Sequence, residues 1–274
     1  MIGAWRGAIQ ELMLDMIFAV FLPCFLLLVV VVATLEWREG QAASAKARWP
    51  VNIALILMAS GLAALVPVSS FSAAYWARDA EVGLLNLVGF GGALAFAMSF
   101  AFQSFWYFLV HIASHKIPFL WRFHKVHHSD YDLDVTTTFR VHPLIYLATV
   151  LMNALVVVAM GLQPEAIIAH AMIVLLIDVW HHTSLRSPAV VETTLRPYLI
   201  TPNLHRLHHS DYVSETETNF GHDLAIWDRI FGTYLANPKR SEQDFHYGLT
   251  QYPRERANNL DAQLLAPFGK GANS

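Results

Sequence analysis

The stretch 143–182, PLIYLATVLMNALVVVAMGLQPEAIIAHAMIVLLIDVWHH, contains two apolar segments that only a short turn separates. Gly161 and Pro164 lie in that turn, and glycine commonly ends a helix while proline commonly begins one. The second segment ends on two adjacent histidines, His181 and His182. The pattern predicts a helical hairpin that enters a membrane and returns to the same side, with both histidines at its open end.

The composition of the whole chain agrees with a membrane protein. Of its 274 residues, 55% are hydrophobic and 14% are charged, and the mean hydropathy is +0.40. Soluble domains carry about 25% charged residues, so lipid is expected to solvate part of this chain. A membrane-spanning helix needs about 20 apolar residues, and three more such segments occur at 12–35, 51–70 and 83–110. We therefore predict an all-α polytopic membrane bundle of three spans plus the hairpin, which comprises 143–162 and 164–182.

The linker 36–50 sets the expected orientation. It carries Arg38, Lys46 and Arg48 against two glutamates, and short basic loops remain on the cytoplasmic side of a membrane. The third span then ends in the cytoplasm, so every histidine cluster and a helical cap after residue 183 are expected on that face. We favour a bacterial inner membrane over an ER-type membrane. The expected regions are N-terminal membrane helices (1–82), a histidine-box core (83–240) and a C-terminal cytoplasmic tail (241–274).

Histidine is the residue type that carries the expected chemistry, because the chain contains fourteen of them and most are clustered. His111 and His115 are four residues apart, and the segments 124–128 and 205–209 each have the pattern HxxHH. On a helix, residues three and four apart lie on one patch, so these spacings direct several imidazoles at one point. Imidazole is a ligand for Zn, Cu, Fe and Ni. Ten clustered histidines exceed the capacity of one ion, and we predict two metal ions. The expected ligands are His111, His115, His124, His127, His128, His181, His182, His205, His208 and His209.

One ligand-bearing segment occurs twice. Residues 124–131 are HKVHHSDY and residues 205–212 are HRLHHSDY. Two copies of such an element predict two similar half-sites.

Carboxylates are expected beside the ligands, because two dications among neutral imidazoles leave uncompensated positive charge. Asp178 lies one turn before His182 and is expected to orient it. Asp130, Asp211 and Asp228 are expected to accept hydrogen bonds from ligand N–H groups.

Four histidines are not among the ten expected ligands. His142 and His222 are left open as possible members of the site. His170 is expected to make a polar contact inside the bundle, and His246 is expected at the surface.

Several function classes are disfavoured. The net charge of -3 gives no reason to expect a nucleic-acid partner, and the single cysteine, Cys24, excludes cysteine-based metal motifs. A membrane metal transporter would place its ligands at mid-membrane, whereas nearly all the histidines lie beyond the predicted helix ends. A zinc-dependent lipid hydrolase would use three or four ligands and a carboxylate base, whereas this chain has ten clustered histidines.

The ordered motifs resemble those of the fatty acid hydroxylase/sterol desaturase superfamily. They are HIASH (111–115), LWRFHKVHHSD (120–130), RVHP (140–143), HHTS (181–184), TPNLHRLHHSDY (201–212), NFG (219–221) and WDRIFGTY (227–234). The resemblance implies a non-haem dimetal centre of two iron ions that uses O2 to oxidise a fatty acyl, sterol or similar lipid. Hydroxylation is favoured, desaturation is the alternative, and zinc is a possible replacement in purified protein. It also implies that Asn219 and Asp228 are polar residues near the site.

An external electron donor follows from this resemblance, because the chain has no nicotinamide, flavin or iron–sulfur motif. Ferredoxin, cytochrome b5 or a reductase are the expected candidates.

Overall fold

The computed structural model describes residues 16–40, 44–241, 244–250 and 252–269. Within these residues the regular structure is helical, and extended contacts are limited to the isolated bridges Leu199–Leu224 and Ser210–Tyr247. The predicted all-α class is confirmed. In chain order the helices are α1 (Leu22–Arg38), α2 (Ala45–Ala64), α3 (Ser70–Asp79), α4 (Leu84–Val88), α5 (Gly92–Lys116), α6 (Pro118–His128), α7 (Pro143–Met160), α8 (Pro164–His182), α9 (Ala189–Leu195), α10 (Pro202–His208), α11 (Val213–Thr216), α12 (Ile226–Phe231), α13 (Arg254–Ala257) and α14 (Leu260–Leu265).

Among the described residues, five helical stretches are long and apolar enough to cross a membrane. They are Ala19–Arg38, Ala45–Ala64, Gly92–Lys116, Pro143–Met160 and Pro164–His182. The first one includes a π-helical turn, Ile17–Phe21, before α1. Part of the first predicted span, residues 12–15, lies outside the described residues. The chain is an integral membrane protein with the predicted number of apolar helices.

Two of the predicted spans begin at other residues. Helix α2 spans Ala45–Ala64 instead of 51–70, and its first turn carries Arg48, whose charged side chain is buried against Asp130. Helix α5 begins at Gly92 instead of 83, because the separate helix α4 ends at Gly89 in a left-handed conformation. Helix α5 then continues to Lys116, beyond the predicted end at 110.

The hairpin of α7 and α8 is present as predicted. Gly161 ends α7 with a φ of +64°, and Pro164 begins α8. Gly83 packs against this turn so closely that an added Cβ would lie 2.3 Å from the backbone nitrogen of Gly161. Buried residues of α3, α4 and both hairpin helices form one apolar core, which includes Ala74 and Val157.

The elements that bear the histidines meet at one end of the bundle. Helix α5 carries His111 and His115 in its last two turns, and α8 ends at His182. The shorter helices α6 and α10 pack against α5 and α8 respectively. The C-terminal region covers the outer side of α6, where Ala266 packs on Val126 and on apolar residues of α2.

Candidate metal centre

Nine of the ten predicted ligands form two groups, each with ligand nitrogens within 4.8 Å of one another. We call the first group the five-histidine cluster; it contains His111, His115, His124, His128 and His208. We call the second the four-histidine cluster; it contains His127, His182, His205 and His209.

The two HxxHH boxes exchange their middle histidines. The first box gives His124 and His128 to the five-histidine cluster but His127 to the other one. The second box gives His205 and His209 to the four-histidine cluster, whereas His208 belongs to the first. A helix turns by about 100° per residue, so positions i and i+4 differ by about 40° while i+3 diverges from i+4 by about 100°. The repeated segment therefore contributes to both clusters instead of building one half-site alone.

Backbone carbonyl groups orient four of the nine imidazoles. The Nδ1 of His111 lies 2.7 Å from the Phe220 oxygen, and that of His208 lies 2.8 Å from the Thr218 oxygen. The Nδ1 of His182 lies 2.8 Å from the Asp178 backbone oxygen. The Nδ1 of His127 lies 3.2 Å from the Arg140 oxygen. A carbonyl oxygen can only accept, so each of these Nδ1 atoms carries the proton and each Nε2 atom presents a lone pair.

These lone pairs face one another inside the clusters. The Nε2 atoms of His127 and His182 lie 3.4 Å apart, and neither of them has a proton to donate to the other. The Nε2 of His205 lies 3.0 Å from that of His182 and 3.1 Å from that of His209. Ligands bound to one ion at about 2.1 Å lie roughly 3.0–3.4 Å apart, depending on the geometry. The residues therefore fit a metal ion in both spacing and chemistry.

The histidines beyond the spans are kept in the metal-binding form by burial. Burial lowers the pKa of His127 to about 4 and that of His208 to about 3. The same cause, reinforced by neighbouring histidines, holds the pKa values of His124, His128, His205 and His209 well below the usual value. Neutral imidazole is the form that binds metals, so no proton has to be removed near neutral pH.

The loop 218–221 positions two members of the five-histidine cluster. Asn219 adopts a φ of +53°, a conformation that asparagine tolerates, and directs the carbonyls on either side of it to His208 and His111. Its side-chain amide donates to the Leu204 oxygen at 3.0 Å. The carboxylate of Asp228 accepts from the backbone N–H groups of Phe220 and Gly221, at 2.7 and 2.8 Å. Asn219 and Asp228 thus act on the loop, not on an imidazole.

His181 lies beside the four-histidine cluster but not in it. Its ring stacks on that of His205 with 3.7 Å between centroids, and its Nε2 lies 3.2 Å from the Asp178 carboxylate. His222, which was left open, lies 3.4 Å from the same carboxylate and has its ring centroid 4.9 Å from that of His111. Burial lowers the pKa of His222, but Asp178 outweighs this and raises it above the usual value.

The prediction that Asp130, Asp211 and Asp228 orient the ligands directly is wrong. Asp130 binds Arg48, Asp211 binds Arg240 at 3.0 Å, and Asp228 binds backbone amides. Backbone carbonyls take the expected role instead, and they leave no signal in a sequence. The sequence interpretation also missed Glu217, whose carboxylate lies 3.5 Å from the Nδ1 of His115.

The remaining histidines lie away from both clusters. His142 caps the N-terminus of α7, where its Nδ1 accepts from the Leu144 backbone N–H at 3.2 Å. His170 is buried in the bundle, as expected, with its Nε2 at 3.2 Å from Asp223. His246 is exposed, as predicted.

Comparisons relate the chain to proteins of known activity. Residues 96–233 match the family described as fatty acid hydroxylase. The ornithine lipid hydroxylase OlsE of Rhizobium tropici is 29% identical over 181 residues, which are 65% of this chain and 51% of that protein. Alkylglycerol monooxygenase of Homo sapiens is 32% identical over 150 residues, which are 53% and 31% of the two chains. The same enzyme of Xenopus tropicalis is 29% identical over 154 residues, or 56% and 32%.

The chain thus spans between a third and a half of the length of these relatives. No solved structure matches it.

Proposed function

Because the chain belongs to the fatty acid hydroxylase family, we propose that it is a membrane monooxygenase that hydroxylates a C–H bond of a lipid. The observation that carries the proposal is the pair of facing Nε2 lone pairs on His127 and His182, 3.4 Å apart, which a cation between them explains. The names of the relatives, an ornithine lipid hydroxylase and alkylglycerol monooxygenases, support a lipid substrate and O2 as co-substrate.

Two iron ions are proposed as the cofactor, one in each cluster. The five-histidine cluster would hold one ion, and the four-histidine cluster would hold the other. Iron in these positions would supply the reactivity toward O2 and the C–H bond that no amino-acid side chain provides. We propose that Asp178, Asn219 and Asp228 support these ligands through the contacts described above, and that His181 contributes by holding the Asp178 carboxylate beside the four-histidine cluster.

The residues of the chain would fix ligand orientation and exclude water. Eight of the nine clustered histidines belong to short helices or helix ends held by buried contacts, and seven of the nine are themselves buried. The five-histidine cluster follows the aromatic residues 105–108 on the membrane-embedded part of α5. This arrangement would bring an apolar lipid chain to the cluster from the membrane side.

Hydroxylation consumes one C–H bond, O2, two electrons and two protons and yields an alcohol and water. The electrons would come from an external donor such as a ferredoxin, cytochrome b5 or a reductase, because the sequence contains no motif for a nicotinamide, flavin or iron–sulfur group. We propose a bacterial inner membrane as the location. The basic residues between α1 and α2 support an orientation with the clusters on the cytoplasmic side.

Lipid mass spectrometry tests the proposed reaction. Membranes from cells with and without the expressed gene are compared, and we expect lipids that have gained one oxygen only when the gene is present. Loss of two hydrogens instead would identify a desaturase. Absence of both changes, together with O2 consumption that does not depend on the protein, would rule out the proposal.

Metal analysis tests the proposed cofactor independently. We expect about two ions per chain after mild purification, and zinc in place of iron would be compatible because imidazole sites accept it readily. One ion or fewer in folded, unstripped protein would contradict the two-ion proposal.

The proposed orientation is tested by thiol labelling. Single cysteines at Glu39 and Ser187, in a Cys24→Ser background, are treated with a membrane-impermeant reagent. Both should be protected in intact cells and labelled after the membrane is opened. Labelling at Ser187 in intact cells would contradict a cytoplasmic site.

A further inference from the structure

Two charged side chains on the first two helices are buried, although these helices lie outside the family match at residues 96–233. Glu36 on α1 and Arg48 on α2 each have 0% of their surface exposed. A buried ion is strongly unfavourable unless partners compensate for the lost water. The partners of these two residues therefore indicate what the helices stabilise.

Arg48 binds the segment that follows the first histidine box. Its Nε and Nη2 atoms lie 2.5 and 2.8 Å from the two carboxylate oxygens of Asp130, which is a bidentate pair. Its Nη1 lies 2.7 Å from a carboxylate oxygen of Asp134. Asp130 is the second residue after His128, so this contact fixes the end of α6.

Asn52, one turn after Arg48, extends the contact to His127. Its side-chain amide donates to Asp130 at 3.3 Å, and its oxygen accepts from Nη1 of Arg140 at 2.8 Å. The Nε of Arg140 donates to the Val126 backbone oxygen at 2.8 Å. The backbone oxygen of the same arginine accepts the Nδ1 proton of His127. Asn52 of α2 is thus linked to His127 through Arg140.

Glu36 binds the end of the hairpin. One carboxylate oxygen accepts from the Thr183 hydroxyl at 2.9 Å and from the Ser184 backbone N–H at 2.7 Å. The other oxygen accepts from the Val135 backbone N–H at 3.1 Å. Thr183 directly follows His182, the last residue of α8, so Glu36 holds the backbone immediately after this ligand.

Both chains of contacts reach the four-histidine cluster, and the Arg48–Asp130 pair also lies two residues from His128 of the five-histidine cluster. His127 and His182 belong to the four-histidine cluster, whereas the carbonyls of the loop 218–221 orient His111 and His208 of the five-histidine cluster. We propose that Glu36 and Arg48 are positioning residues of the four-histidine cluster. Helices α1 and α2 would then complete a metal site that the family-matched segment builds only in part. The inference rests on the proposed function, since it requires that this cluster binds a metal ion.

Metal titration of conservative variants tests the inference. The full-length protein in detergent, freed of metal, is titrated with Co²⁺ alone and followed by visible absorption, whose shape depends on the coordination of the ion. Glu36→Gln places an NH2 group where Val135 needs an acceptor, and Arg48→Lys keeps the charge but cannot bind Asp130 in a bidentate manner. The matched controls are Arg38→Gln and Lys46→Gln, which alter exposed charges on the same two helices.

We expect each of the two variants to bind one of its two ions about tenfold more weakly or worse, with a smaller loss of affinity for the other ion. Changes behind a ligand cost about that much in affinity. The shape of the Co²⁺ spectrum should change at intermediate metal, and both controls should titrate like the wild type. A variant that only lowered the folded fraction would reduce the Co²⁺ absorption equally at all wavelengths, without a change in the shape of the spectrum. The folded fraction is measured separately by near-UV circular dichroism.

Three results would overturn the inference. The first is wild-type affinity for both ions in Glu36→Gln and in Arg48→Lys. The second is an equal loss of both ions in proportion to the unfolded fraction, which would indicate a general structural role. The third is a wild-type protein that binds no Co²⁺, and this result would also contradict the proposed function, which the first two would leave intact.

Discussion

The five-histidine and four-histidine clusters are built from the same repeated segment, yet different parts of the chain hold them in place. In the first cluster, carbonyls of the loop 218–221, which lies inside the family-matched segment, orient two histidines. In the second, the carbonyls of Arg140 and Asp178 orient two others. Its surroundings are braced by buried charges on α1 and α2. A duplicated ligand motif therefore does not imply duplicated support.

The two Asp residues at equivalent positions of the repeat illustrate this difference. Asp130 is buried and bound to Arg48, Asn52 and Thr137. Asp211 is partly exposed and binds Arg240. The aspartate of the shared motif HHSD thus belongs to a buried network in one copy and to an ion pair near the surface in the other.

The largest effects are expected from the two exchanged histidines. His127→Ala removes one ligand of four and His208→Ala one of five. Each should reduce product formation by more than about 100-fold, because loss of a residue that only supports a ligand already reduces activity by up to about 100-fold. We expect His127→Ala to retain fewer metal ions than His208→Ala, because its cluster has fewer ligands left. Product is measured by lipid mass spectrometry, and metal by elemental analysis. His246→Ala, at an exposed position, should match the wild type, and high activity of His208→Ala would contradict the ligand assignment.

An intermediate effect, on stability, is expected from the equivalent aspartates. Asp130→Ala leaves the guanidinium of Arg48 buried with fewer partners, and breaking a buried pair in this way costs about 3–5 kcal/mol. Asp211→Ala breaks a pair near the surface and should cost less than about 1 kcal/mol. The free energy of unfolding of both variants is measured by denaturant titration in detergent. Equal costs would show that the two copies are supported alike, against the comparison above.

Much of the fold could be predicted because its signals are local. Gly161 and Pro164 mark the hairpin turn, and apolar runs mark the five long helices. The packing that accompanies these helices could not be predicted, because it depends on contacts between distant residues. Arg48 and Asp130 are separated by 82 positions in the chain, and Gly83 packs against Gly161.

The composition of the two clusters was predictable only in part. Helical spacing identified eight of the nine histidines, and His182 was predicted from its place at the end of an apolar helix. The exchange of His127 and His208 depends on how α6 and α10 face each other. His181 has the same local signal as His182, and only the direction of its side chain toward Asp178 separates the two. The carbonyls that orient the ligands belong to residues of any type, so no sequence pattern could reveal them.

The smallest effect is expected at Asn219, and it is the counterpart of the test on Glu36 and Arg48. Asn219→Gly keeps the left-handed conformation accessible but removes the amide that binds the Leu204 and Leu235 backbone oxygens. The loop should then hold its carbonyls less firmly toward His208 and His111, so the five-histidine cluster should bind its ion about tenfold more weakly. The four-histidine cluster should be unaffected, because its orienting carbonyls belong to other segments. The same Co²⁺ titration measures both affinities, and weaker binding at the four-histidine cluster alone would reverse the assignment of supports to clusters.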